Sequence, residues 1–496
     1  MKRRNQLKTE RQVRAALRGG ANVVPLVREL PADMTTPVAA FLRLARPGEP
    51  AFLLESVEGG ERYARYSFLG ARPFETISVA NGAARVRRAG RDIPLGGCPF
   101  RALGQRLGRY RASHEPGLPR FCGGAVGFVG YEMIRHLEPT VALRPPEGDE
   151  ARLMLFADVA AFDRLRQRML LISNVVADGS VPVGRAYRKA CDALDRMERR
   201  LSRPLAPERP GRPAPPRRPK AALGQAAFLE GVRRLKGRIR AGDIFQAVLS
   251  DRFEVPLRAE PFEVYRKLRA INPSPYMFFM GTADEALLGA SPEMLVRVED
   301  RVVETQPIAG TRPRGADEEE DSKNERDLLA SVKERAEHLM LVDLGRNDVG
   351  RVARPGSVRV PSFMRVERFS HVMHLVSSVR GRLRRGCSAW DAFGACFPAG
   401  TVTGAPKIRA MQLVNEIEPV PRGFYAGAVL YHDFQGNLDS AIAIRSLMVR
   451  GKGRSRAAVV QAGAGIVADS RPVAELREIR AKSRAMFEAI RSAEGT

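Results

Sequence analysis

Residues 153–163, LMLFADVAAFD, are rich in bulky apolar residues and too short for a buried helix, and they fix the reading of the N-terminal half. Runs of the same kind lie at 76–80, TISVA, and 123–131, GGAVGFVGY, separated by Gly, Pro and Asn turn signals. Short apolar runs bounded by such residues read as strands. Through residue 180 the pattern predicts one mostly antiparallel sheet with a few helices, one of them from about Pro37 to Leu44 before a strand at Ala51 to Leu54. The segment before residue 22, MKRRNQLKTERQVRAALRGG, reads as a basic amphipathic helix or frayed tail. Residues 203–220, RPLAPERPGRPAPPRRPK, hold seven prolines and no apolar periodicity, so they read as a semi-rigid linker. Beyond it, Phe228, Val232, Leu235 and Ile239 recur at helical spacing ahead of a strand, IFQAVLSDRFEV. Strands and long helices then follow in mixed order, without a βαβ rhythm. The fold class is α/β of the α+β type.

The 496 residues, 44% of them hydrophobic, exclude a disordered chain and allow about two to four domains. Five cysteines, Cys98, Cys122, Cys191, Cys387 and Cys396, form no C-x-x-C pair, which argues against a disulfide framework or a zinc knuckle. With no apolar run of about 18 residues and no signal-peptide core, a soluble cytoplasmic protein is expected. The formal net charge of +26 raises the idea of a polyanion partner. The excess is mostly arginine, 71 against 11 lysines, and is spread along the chain, which compositional bias explains as well.

Two acidic pairs stand out, Glu334 with Glu337 and Glu475 with Glu478, each in a helical pattern. The i,i+3 spacing puts each pair on one helix face, where two such helices across a cleft could hold a hard cation; solvated helix surface is the plainer reading. The loop FPAGTVTGAPKIRAMQ places Pro406 for the first turn of a helix, but its glycines and Lys407 fail the Walker A spacing. Gly463 to Ala468 matches G-x-G-x-x-[GA], yet the next helix starts only near Pro472, so a turn offering N–H groups to a carboxylate fits better than a dinucleotide site. His371 and His374 lack a zinc motif and leave acid/base work or a structural role open. Arg445, in DSAIAIRSLM, needs an anion if buried: a substrate carboxylate or an internal acid.

Many blocks in order resemble the large subunit (component I) family of anthranilate synthase, a group of chorismate-utilising enzymes. They are LLES (53–56), RYSFLG (65–70), INPSPYMFF (271–279), GASPEMLVR (289–297), ETQPIAGTRPRG (304–315), ERAEHLMLVDLGRNDVGRV (334–352), FSHVMHLVSSVRG (369–381), FPAGTVTGAPKIRAMQ (397–412), RGFYAGAV (422–429), DSAIAIRS (439–446) and VQAGAGIVADS (460–470). The resemblance implies a two-sheet sandwich with outer helices, the chorismate-utilising fold, in which both halves share a layered core. It divides the chain into a basic tail (1–21), an N-terminal, tryptophan-binding region (22–202), the linker (203–220) and a chorismate-binding catalytic region (221–496).

The activity it implies is a carbon–oxygen lyase reaction of tryptophan biosynthesis. Ammonia adds to C2 of chorismate, the 4-hydroxyl departs, and elimination of pyruvate leaves anthranilate. Mg²⁺ would be held directly by Glu337 and Glu478, with Glu334 and Glu475 acting through waters. Glu293 would be the general acid for the departing hydroxyl, and His374 and Thr401 would lie near the ring. Tyr425, Arg445 and the amides around Gly463 and Gly465 would grip the enolpyruvyl carboxylate, while Gly310 and Thr311 border the ring carboxylate. Relatives that use water carry Lys where Gln246 stands, and aminodeoxychorismate synthases carry Lys where Ala309 stands. Both positions therefore point to ammonia and anthranilate. Glu55, Ser56, Pro275, Tyr276 and Met277 match the lining of a tryptophan feedback site.

No glutaminase nucleophile region is found in the chain, so a separate amidotransferase subunit (component II) or ammonia in solution is the expected nitrogen source. Against the family pattern, Ser331-Val332, Arg471, Ile479 and Ala481 are unusual, and altered packing or Mg²⁺ affinity around the last helix is expected. The alternatives are an aminodeoxychorismate synthase component I, and a basic nucleic-acid-binding protein on a retired enzyme fold.

Overall fold

The computed structural model describes residues 7–56, 65–205, 218–369 and 372–495, the side chain of Arg454 excepted. Most of the linker and His371 lie outside the described residues.

Two 12-stranded, antiparallel sheets form the body. The first runs Val23–Pro31, Arg168–Val176, Asp158–Asp163, Tyr66–Ala71, Ala51–Glu55, Tyr276–Gly281, Glu285–Ser291, Ser446–Arg450, Ala457–Ile466, Gln246–Pro256 and Lys220–Ala221, with Gly404–Ala405 branching off Gln246–Pro256 as the twelfth. The second runs Ile308–Pro313, Val372–Arg382, Val302–Thr305, Met294–Glu299, Leu438–Ile442, Ala428–Asp433, Gly124–Val129, Ala151–Phe156, Glu75–Ala80, Ala83–Arg88 and Arg91–Leu95, with Arg359–Arg368 branching off Val372–Arg382 as the twelfth. The single sheet expected for the N-terminal half is thus corrected: its strands divide between the two, because apolar segments on either side of a turn bury their faces against different layers. Each sheet also joins chain from both sides of the linker, at Leu53 opposite Phe279 and at Val129 opposite Ala428. The globular part begins earlier than residue 22, since helix Glu10–Arg18 buries Val13.

Strands of the first sheet are covered on both faces, which is why they read as continuous apolar runs. Along Tyr276–Gly281, Phe278 and Met280 point into the core between the sheets; Met277 and Phe279 point into a second core under helices Pro37–Leu44, Val183–Leu201, Pro261–Ile271 and Pro472–Glu494. A third core seats helices Gln225–Arg240 and Lys407–Asn415 against Gln246–Pro256 and Ala457–Ile466. Helices Glu318–Ala330 and Val332–Gly350 lie against the far end of the second sheet. No helix among the described residues is long and apolar enough to cross a membrane.

Candidate active site

Where the chain passes from one sheet to the other, it cannot keep its ladder partners, and side chains turn inward. Pro292 and Glu293 lie between Glu285–Ser291 of the first sheet and Met294–Glu299 of the second. Arg445 lies on the return, between Leu438–Ile442 and Ser446–Arg450, in the left-handed region at φ 51°. Both face a cleft of about 2530 Å³, partly open to solvent, which Gln246, Ala309, Gly310, Thr311, His374, Thr401, Tyr425, Gly463 and Gly465 also line.

Burial pushes the Glu293 carboxyl up to about 7, against the pull of Thr401 and the Lys482 charge. Thr401 Oγ1 donates to Glu293 Oε1 at 2.8 Å. His374 Nδ1 lies 2.9 Å from the Gly310 carbonyl and 3.1 Å from Thr311 Oγ1. An N–H on Nδ1 satisfies that carbonyl, leaving Nε2 with a free lone pair. Burial lowers the His374 pKa, the Gly310 bond opposes this, and the Arg445 charge adds to it, so the ring is neutral near pH 7. Gly310 adopts φ 68° at a break in register between Ala309 and Thr311, and this bulge turns its carbonyl to the imidazole.

Tyr425 is raised by burial to about 12 and stays a neutral donor. Arg445 makes no ion pair among the described residues. Burial lowers its pKa, with Tyr425 and Glu478 opposing, and a guanidinium so placed calls for an anionic ligand. Gly463 and Gly465 lie in strand Ala457–Ile466, not in a turn as expected from their spacing. The neighbour on one side of that strand ends at Val460, so its edge from 461 to 466 has no strand partner on that side among the described residues, and the Gly463 carbonyl accepts instead from Lys482 Nζ at 3.1 Å. Pro406 caps helix Lys407–Asn415, and Lys407 pairs with Asp348 at 3.2 Å, away from the cleft.

The two acidic pairs, remote in sequence, come to one rim. Helix Val332–Gly350 carries Glu337 to the cleft, and helix Pro472–Glu494 carries Glu475 and Glu478. Glu334 lies just behind, paired with Arg312 at 3.3 Å. Glu337 is raised by burial and by the charges of Glu334 and Glu478, and Glu475 by burial and Glu478, with Ser470 pulling down. Glu337 has no hydrogen bond or ion pair among the described residues, whereas Glu478 meets Lys482 Nζ at 2.6 Å. No three His, Cys, Asp or Glu side chains among the described residues converge on one point. Hard oxygen donors, mutual repulsion and an unpartnered carboxylate nonetheless fit a divalent cation.

A second cavity, about 600 Å³ including open space, lies between the sheets. All five residues read as inhibitor-binding, Glu55, Ser56, Pro275, Tyr276 and Met277, line it. Its walls add Tyr66, Phe68, Arg120, Arg297, Tyr431 and Asp439, which sequence reasoning missed. The Glu55 carboxylate is already taken, by Tyr265 Oη at 2.8 Å and Arg269 Nε at 2.9 Å. Asp439 and Arg297 are an ion pair at 3.1 Å.

The chorismate binding enzyme family model matches residues 49–488. Anthranilate synthase component 1 of Acetivibrio thermocellus is 43% identical over 95% of this chain and 96% of that protein; the Streptomyces coelicolor protein of the same name is 47% identical over 98% and 92%. The chain belongs to the anthranilate synthase component 1 family of chorismate binding enzymes. The crystal structure of anthranilate synthase component I from Streptococcus pneumoniae superposes with a TM-score of 0.77 at 36% identity, over 92% of this chain and 99% of that one. A menaquinone-specific isochorismate synthase from Escherichia coli shares the fold alone, with a TM-score of 0.71 at 17% identity, over 96% and 99%.

Within this family fold, the cleft also gathers residues that sequence reasoning did not assign: Lys333, Leu341, Phe369, Gln461, Asp469 and Lys482. Lys482 was within reach of a helical reading, four residues after Glu478. The unusual Arg471 lies on the cleft rim at the start of the last helix, and Ile479 is buried in the third core.

Proposed function

We propose that this chain is the ammonia-using component of anthranilate synthase, converting chorismate to anthranilate. The observation that carries the reading is a half-buried carboxyl, Glu293, held by the Thr401 hydroxyl in the same cleft as Arg445, which makes no ion pair among the described residues. A dianionic substrate needs a fixed cation, and loss of hydroxide needs a proton donor that is still protonated near neutral pH.

Arg445, Tyr425 and the strand edge at Gly463 and Gly465 hold the enolpyruvyl carboxylate, while Gly310 and Thr311 border the ring carboxylate. Ammonia attacks C2, and Glu293, held by Thr401, gives its proton to the 4-hydroxyl as the C–O bond breaks. Nε2 of His374 then assists elimination of pyruvate, which leaves the aromatic ring. Glu337 and Glu478, with Glu334 and Glu475 behind them, would hold Mg²⁺, which neutralises the ring carboxylate when bound. Ala309, in place of a lysine, leaves C2 open to ammonia, and Gln246 is no base for water.

Ammonia comes from a separate glutaminase subunit or from solution. The cavity between the sheets takes tryptophan as feedback inhibitor, its indole among Phe68, Phe278 and Tyr431 and its charged groups toward Asp439 and Arg120. Pro275 borders both cavities and joins inhibitor to active site.

Incubation with chorismate, Mg²⁺ and ammonium tests the reading by product. Anthranilate fluorescence supports it; aminodeoxychorismate or isochorismate as sole product contradicts it. The Glu478→Gln variant loses activity if the metal assignment holds, and wild-type turnover by that variant defeats it.

A further inference from the structure

Arg422 and Glu418 form a buried ion pair that lines neither cavity, yet its hydrogen bonds end on Val402 and on strand Gln246–Pro256, two walls of the cleft. Arg422 is 3% exposed and Glu418 7%. The guanidinium meets the carboxylate twice, through Nε and Nη2, both at 2.8 Å. Two of its three remaining N–H groups donate to the Val402 carbonyl at 2.8 Å and the Val248 carbonyl at 2.6 Å. Val402 follows Thr401, the partner of Glu293; Val248 lies in the strand that brings Gln246 to the cleft. The same guanidinium stacks 4.7 Å from the Tyr131 ring and 5.7 Å from the ring of Tyr425.

Glu418 extends the chain of contacts. Its Oε1 accepts from the Ser250 amide at 2.8 Å and from Ser250 Oγ at 2.7 Å, so the Ser250 proton is committed. Ser250 Oγ accepts in turn from Gln461 Nε2 at 2.8 Å, and this fixes which end of the cleft-lining Gln461 amide faces which way. The other end, Oε1, is buried without a partner among the described residues.

We infer that Arg422, clamped by Glu418, is the positioning residue that sets the Thr401 loop, the Tyr425 ring and the Gln461 amide in one geometry for turnover. It touches no reacting atom. A buried guanidinium needs acceptors, and here the two carbonyls it uses belong to separate elements that line one cleft; a lysine could not reproduce the fork that reaches both. The inference rests on the proposed chorismate chemistry, because Thr401 and Tyr425 take their roles from it.

The test compares wild type, R422K, E418Q, T401V and R422K/T401V, each scaled to folded protein by its thermal transition, with kcat and chorismate KM followed across pH. Displacing the Thr401 loop costs kcat by about 10²-fold in R422K, as small misplacements of reacting groups do. Losing the Thr401 hydroxyl bond raises the Glu293 pKa, so the alkaline limb of kcat moves to higher pH in R422K and T401V alike, with no further move in the double variant. Should R422K fold too poorly, E418Q reads the same limb. Wild-type kcat per folded molecule, or an unmoved limb with additive losses in the double variant, overturns the inference. A wild-type chain that makes no anthranilate overturns the proposed function and this inference together; an active wild type with indifferent variants overturns the inference alone.

Discussion

Glu293 carries two consequences of one half-buried position. A carboxyl poised at about 7 is protonated on the acid side of that value and can donate. With free ammonia saturating, kcat should fall as pH rises through about 7, and Glu293→Gln should cost about 10²-fold or more. The same burial penalises the charged form, so the fold loses stability as pH rises from the unfolded carboxyl value toward the folded one. Glu293→Gln removes that penalty. Its melting temperature should exceed that of wild type at pH 8 and approach it at pH 5, a convergence that differential scanning fluorimetry checks. Residue types at this scale were legible: an acid after Ser-Pro, an arginine in an apolar run and paired glutamates each told of chemistry. The environment of Glu293 was not, because the burial that raises it exists only in the folded cleft, and Thr401 and Lys482, which pull it down, both lie more than a hundred residues away.

At the scale of elements, the glycines of Ala457–Ile466 act through what they lack. A Cβ on Gly463 would stand 2.6 Å from Tyr425 Oη and 3.0 Å from the Leu249 carbonyl. Gly463→Ala should therefore displace Tyr425 and raise the chorismate KM by about tenfold or more, the worth of one hydrogen bond to a charged group, with a smaller effect on kcat. Steady-state kinetics with chorismate varied would show the split. The spacing of Gly463 and Gly465 read as a turn because G-x-G is common there. Nothing local tells that strand Gln246–Pro256 straightens the segment into a sheet, leaving its far edge without a strand partner among the described residues. The helices bearing the acidic pairs were legible from their own periodicity, whereas their convergence was not, since it depends on packing against different sheets.

Across the whole molecule, both sheets are assembled from chain on either side of residues 203–220, so neither half can close a core alone. A protease site engineered into that linker should give two fragments that co-purify, unfold in one cooperative transition and keep chorismate turnover. Separation of the fragments with independent melting would contradict the shared core. The cavity between the sheets belongs to this scale as well. Leu54→Trp would fill it from Ala51–Glu55, where Leu54 shares the inward face of Phe52, and it should weaken tryptophan inhibition by about tenfold or more while leaving the uninhibited rate within about twofold, since a filled pocket excludes its ligand. Inhibition curves on both proteins check this. The five residues matched to that cavity were legible as motifs; Asp439, Arg297 and Arg120 were not, because charged groups in apolar strands declare a cavity only once the opposing sheet is in place.

The central claim, that one cleft between the sheets binds chorismate and supplies the proton for its amination, meets its most direct test in a crystal of the chain soaked with Mg²⁺ and a non-reactive chorismate analogue. The account predicts the enolpyruvyl carboxylate on Arg445 and Tyr425, the 4-hydroxyl toward Glu293, and metal density between Glu337 and Glu478. Analogue density elsewhere, with Glu293 facing only protein, would contradict it.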